Sequence, residues 1–149
     1  SSTDQVLIRA CRPLLGVDPV LFVPCSRTDR SRLVRWRLGW LPGRPEPCIC
    51  NRATTSRSHF LDCEAVPIPF WMDLPSCPPD EHPVDFAISS LPSSRFAPCT
   101  LWWPALVAIL RCVDVACHPT KFFPSDPSPG SLWMKLRPPH HPDTPSLYV

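Results

Sequence analysis

The sequence predicts a small fold that is mainly α and irregular, with a Pro-rich, disordered C-terminal tail. Three observations point there. Twenty-three of the 149 residues are Pro and only four are Gly. So many missing backbone donors forbid a long uninterrupted helix or a central sheet strand through most of the chain. Hydrophobic residues make up 44%, enough for a modest core and too many for wholesale disorder. Two stretches, 26–41 and 100–117, carry helical periodicity, whereas 119–149 holds eight prolines and little periodicity.

Residues 1–25 alternate short apolar runs with Pro13, Pro19 and Pro24. They are expected to be an extended or linker segment continuing from an upstream domain: Val6–Cys11 reads as the end of a helix begun earlier, and Val20–Val23 as a short extended run. Residues 26–41 give the clearest helix. Ser26 or Thr28 caps it, Asp29 suits the positive end of its dipole, and Leu33, Trp36 and Trp40 fall on one face. Gly39, Pro42 and Gly43 end it. Ser56 or Ser58 can start a short second helix carrying His59, Phe60 and Cys63, which stops before Pro67. Six prolines in 67–83 predict an irregular surface crossing. Pro83–Leu91 follows as a two-turn helix with Pro at its first position. Thr100 caps the last strong element, in which Pro104 sits in the first turn. Its apolar residues cover most of the circumference, as expected of a core helix ending at His118-Pro119. The chain thus divides into 1–25, a helical module over 26–118, and a tail over 119–149.

Net charge is only +2, but it is segregated: residues 26–58 carry +6 and residues 59–98 carry −5. One reading is a basic surface facing a polyanion. The other is a fold whose two halves attract each other. Nine cysteines, an odd number, without an N-terminal export signal argue against a secreted disulfide scaffold. Thiols that are buried or metal-bound, in a reducing intracellular compartment (nucleus or cytoplasm), are the expectation. The longest apolar run, Cys99–Leu110, is shorter than the ~20 residues needed to cross a bilayer, so no membrane partner is expected.

One arrangement has metal-ligand logic: Cys48-x-Cys50-x8-His59-x3-Cys63. In an extended segment residues i and i+2 point to the same side, so Cys48 and Cys50 can converge on one ion. On a helix i and i+4 share a face, so His59 and Cys63 can supply the remaining two ligands of a tetrahedral structural zinc. The alternative is buried free thiols beside a surface His. Cys112, Cys117 and His118 lie near one another, but Cys112 is expected to face the core. Cys77 with His82 has no geometric rationale, and His140 and His141 read as solvated. No Ser/His/Asp set, phosphate loop or HExxH is present, so no catalytic residue is expected.

These blocks together carry a resemblance. ACRP (Ala10–Pro13), GVDPVLFVP (Gly16–Pro24), RSRLVRWRLGWLPG (Arg30–Gly43) and Cys48–Cys63 resemble the C-terminal region of fungal non-long-terminal-repeat retrotransposon reverse transcriptases, and His82–Pro92 and Trp102–His118 fit its helices in order. The resemblance spans roughly 6–118, and Trp36–Gly43 is its most specific part. It implies a segment following the polymerase domain, with a zinc knuckle at Cys48, Cys50, His59 and Cys63, that helps hold template RNA or target DNA. The polymerase's Tyr-x-Asp-Asp motif is absent, since the single Tyr, Tyr148, precedes only Val149. The expected activity is therefore non-catalytic binding of RNA or DNA, largely independent of base sequence. Arg27, Arg30, Arg32, Arg35, Arg37, Arg44, Arg52 and Arg57 would supply the phosphate contacts. The competing expectation is an interaction element that packs on the polymerase, with Trp36, Trp40, Trp102 and Trp103 as its exposed interface, or a remnant with no role of its own.

Overall fold

The computed structural model describes residues 17–140. Their regular structure consists of five α-helices, two 3₁₀ turns and one isolated antiparallel bridge, Pro47 to Thr54, with no strand among the described residues. The mainly helical, irregular class read from the proline content is what is found.

The chain enters through a 3₁₀ turn, Pro19–Leu21, rather than the extended run expected there. Pro19 presets the dihedral of the turn, and the Asp18 carboxylate accepts from the Val20 N–H at 3.2 Å. Val20 and Val23 are buried in the core. Residues 17–25 are therefore part of the module and not a linker; the remainder of that segment, 1–16, lies outside the described residues.

Helix α1, Arg27–Arg37, starts as expected: the Ser26 hydroxyl accepts from the Asp29 N–H at 3.1 Å. It ends early. Gly39 adopts φ +78°, a left-handed conformation that closes a helix and that a residue with a Cβ resists. Leu33 and Trp36 are buried, but Trp40 falls beyond the last turn and stands 56% exposed. Helix α2, Ile68–Asp73, forms inside the stretch expected to be irregular. Its prolines permit this because Pro67 and Pro69 occupy the cap and first turn, where no intrahelical donor is required. Helix α3, Pro83–Ser89, begins at its proline, with His82 as the cap.

Helix α4, Trp103–Cys117, is the core helix, with ten of its residues buried. Both α1 and α2 pack on it. Thr100 does not cap it: the cap position falls at Trp102, and the Thr100 hydroxyl is buried without a partner while its carbonyl accepts from the Trp103 N–H. Trp36 and Trp103, expected as exposed interface, are fully buried, and Trp102 is half-buried.

The tail requires a correction. Residues 119–140 pack onto the module, and only 141–149 lie outside the described residues. Helix α5, Ser131–Leu136, delivers Trp133 into an edge-to-face contact with Trp103 at 5.3 Å, and the Trp133 indole N–H donates to the Ala97 carbonyl at 3.0 Å. Gly130 makes the approach possible, since a Cβ there would come within 2.9 Å of the Pro104 Cα. One large aromatic with a satisfied donor outweighs the low periodicity around it.

Candidate metal centre

The four ligands singled out by spacing do converge. One donor atom from each of Cys48, Cys50, His59 and Cys63 lies within 4.8 Å of all the others. The Cys48 and Cys63 sulfurs are 3.8 Å apart, and the Cys50 sulfur is 3.4 Å from His59 Nε2. Those separations are far beyond a disulfide's ~2.05 Å. They match the edges of a tetrahedron around zinc, about 3.8 Å between two thiolates and about 3.5 Å between thiolate and imidazole.

The route to convergence differs from the one expected. Cys48 and Cys50 sit in a tight turn instead of an extended segment: the Asn51 N–H donates to the Cys48 carbonyl at 2.9 Å and the Cys48 N–H to the Ala53 carbonyl at 3.0 Å. Asn51 takes φ +62°, a left-handed conformation that Asn tolerates better than most residues. His59 opens the second 3₁₀ turn, His59–Leu61, started by the Ser56 hydroxyl accepting from the His59 N–H at 3.0 Å. Cys63 follows at i+4, and Phe60 between them is fully buried, which fixes the turn to the core.

Backbone donors already aim at the sulfurs. The Arg52 N–H points at the Cys50 sulfur and the Ala65 N–H at the Cys63 sulfur, both at 3.4 Å. Such bonds stabilise thiolate charge and orient metal ligands. The Arg52 N–H is the main reason the Cys50 thiol is lowered to about 7, whereas burial pushes Cys63 up to about 11. A cation among the sulfurs would resolve that opposition by favouring thiolate throughout. The residues present therefore fit a tetrahedral metal ion, and zinc agrees with the donor set.

The Arg set does not form one surface. Arg32 is buried and reaches Asp29, Asp114 and Asp126 at 2.7, 2.9 and 3.2 Å. Arg35 grips both oxygens of Asp114 at 3.1 and 2.9 Å. Arg37 is buried opposite Asp18, and Arg30 donates to the Val20 and Val23 carbonyls, both at 2.8 Å. Arg57 lies over the Trp36 ring at 4.4 Å, donates to the Trp36 carbonyl and pairs with Asp85 at 3.1 Å. Of this set, only Arg27, Arg44 and Arg52 are exposed with no ion pair among the described residues. The basic and acidic halves meet in a single ion pair among the described residues, Arg57 with Asp85. Of the carboxylates that pair with this Arg set, only Asp85 belongs to the acidic segment; Asp62, Glu64, Asp73, Asp80 and Glu81 stay exposed.

The remaining candidates are accounted for within the fold. Cys112 is half-buried against the core. His118 Nδ1 faces the Asp114 carboxylate at 2.9 Å, and burial pushes the Cys117 thiol up to about 12. The Cys77 thiol donates to the Pro78 and Glu81 carbonyls. Sequence reasoning missed the clamp that docks the metal loop: Arg57, Asp85 and His82, whose Nε2 faces the Arg57 carbonyl at 2.9 Å. Nothing in their spacing signals it, because the clamp spans 28 residues. An open groove of about 410 Å³ runs beside Cys63, lined by Arg52, Leu61, Asp62, Glu64, Val66 and Ile68 among others.

No helix among the described residues is long and apolar enough to cross a membrane. Compared with known protein families, curated proteins and solved structures, the chain matches none.

Proposed function

We propose that this chain is a non-catalytic module organised by one structural zinc ion at Cys48, Cys50, His59 and Cys63, and that it serves as a packing and binding element of a larger retrotransposon reverse-transcriptase-like protein. The observation that carries the metal reading is the convergence of the four donor atoms to within 4.8 Å of one another. The interaction role is supported by Leu61, Ile68 and Met72, large apolar side chains 40%, 71% and 77% exposed next to the metal loop. The link to reverse transcriptases rests on the sequence blocks alone. Zinc would supply folding free energy here, on the order of 10 kcal/mol, to a loop with few apolar anchors. Metal analysis of purified protein tests this reading: one tightly held zinc per chain is the expected result, and protein that folds equally well without any metal would overturn it.

Nucleic-acid binding is the second reading, and what favours it is the exposure of Arg27, Arg44 and Arg52. It is narrower than the sequence suggested. Three phosphate contacts give single-stranded RNA binding a log–log salt slope of about −2, where all eight arginines would give nearly −6. A titration at several salt concentrations separates these cases, and salt-independent binding would remove the phosphate reading altogether.

A further inference from the structure

His82 joins α3 to three other parts of the molecule, and both of its ring nitrogens are committed. Nδ1 accepts from the Val84 N–H at 3.1 Å, which makes the imidazole the N-cap of α3. That donor is a backbone amide, so Nδ1 carries no proton. Nε2 faces the Arg57 carbonyl at 2.9 Å, an acceptor, so Nε2 carries the proton. The ring lies 5.1 Å from Trp36 of α1 and 6.0 Å from Trp71 of α2. Only one tautomer of the neutral ring makes both bonds.

We propose that His82 is a proton-operated latch that fastens the metal loop to α3 while neutral and releases it when protonated. A second proton would go onto Nδ1 and point at the Val84 N–H, replacing a hydrogen bond by two opposed donors. The imidazolium would also sit at the positive end of α3. The charged groups around it oppose each other: the Arg57 guanidinium from the metal loop repels the cation and Asp85 from α3 attracts it. Asp85 is already engaged by Arg57 and by the Trp36 indole N–H at 2.8 Å. Trp36 and Trp71 add no titratable group. Burial accordingly holds the His82 pKa below its ordinary value of 6.5. The sign follows from linkage: the unfolded chain takes up a proton first as pH falls, so the stability His82 contributes is complete above about 6.5 and is lost below it. The latch goes beyond the metal site, because His82 is not a ligand.

The test compares the zinc-loaded full chain with His82→Asn, whose side-chain oxygen still caps α3 but does not titrate. Folding constants are measured from pH 7.5 to 5.0 with zinc content followed in parallel. Any other pH-dependent change is common to both proteins, so the ratio of the two constants isolates His82. The expected result is a ratio constant above pH 6.5 that turns against the wild type below it, by up to tenfold per pH unit, together with faster exchange of the Val84 amide. A ratio independent of pH would overturn the latch. Should His82→Asn fail to fold, the ring titration of His82 in the wild type decides by NMR: a pKa below 6.5 that coincides with loss of Val84 protection supports the latch, and a pKa at or above 6.5 refutes it.

Discussion

The helix pair α1–α4 and the metal loop around residues 44–66 hold themselves together by opposite means. In the helix pair, Leu33, Trp36, Leu106, Ile109, Leu110 and Val113 are almost wholly buried, and charges are sealed between the helices. Asp114, fully buried, takes Arg32 and Arg35, while Asp29 takes Arg32 and Arg111. The metal loop buries Cys48, Thr55, Phe60, Cys63 and Val66 and otherwise lies at the surface. Its backbone is tied locally, as where Glu46 and Thr55 exchange two bonds. A region that can bury much apolar area needs no metal, and one interrupted by Pro45 and Pro47 has less apolar area to bury. The candidate tetrad stands at the edge of the core, with Cys48 and Cys63 buried and the chain between them largely at the surface.

The largest expected effect breaks the loop alone. Cys50→Ser removes one of the four proposed ligands and should abolish zinc retention, forfeiting on the order of 10 kcal/mol of metal-linked folding free energy. Metal analysis with amide exchange checks it: protection should vanish over 44–66 and persist in α4. If α4 unfolds too, the two regions are one cooperative unit. Asp114→Ala attacks the other region by removing the one carboxylate that half-buried Arg35 pairs with and one of the three around buried Arg32, at a cost of about 3 kcal/mol in urea unfolding, with zinc content unchanged in the folded fraction. The same carboxylate gives an acid signature. Burial by itself would raise its pKa, but hydrogen bonds from Arg35 and Arg32 prevail and hold it below 3.8. Its contribution is thus present above the ordinary carboxylate range and lost as pH falls below it, a loss that Asp114→Asn should not show.

Trp133→Ala tests whether the packed part of the tail belongs to the helical region. A cavity against Trp103 should cost about 3 kcal/mol, read as a lowered urea midpoint; no change would make α5 a passive attachment. Ser26→Ala is the smallest, about 1 kcal/mol for a lost cap, and should leave the metal loop's exchange untouched.

Much of this contrast was legible in the residues. The candidate ligands were found because their spacing is local, so a tight turn served as well as the extended segment expected. Helices α1, α3 and α4 announced themselves through Ser26, Pro83 and an apolar run. Arginine was misread because its role depends on partners far along the chain. Arg32 and Arg35 look like a basic face until Asp114, 82 and 79 residues away, folds onto them. The same holds for Trp133, whose neighbour Trp103 comes from another helix, and for α2, where prolines that break helices happen to sit at its start.

By itself, then, the sequence determined the helical class, the three main helices and the four Cys and His residues that converge into a candidate metal site. All of these rest on interactions within a few turns of chain, through capping, periodicity and short-range convergence of side chains. Only the tertiary structure decided which charges are sealed inside, that Val20, Val23 and Trp133 join the core, and that His82 and Arg57 dock the metal loop. Those outcomes turn on the desolvation of one group by another distant in the chain, and a charged residue's environment is a property of the packing and not of its neighbours in sequence.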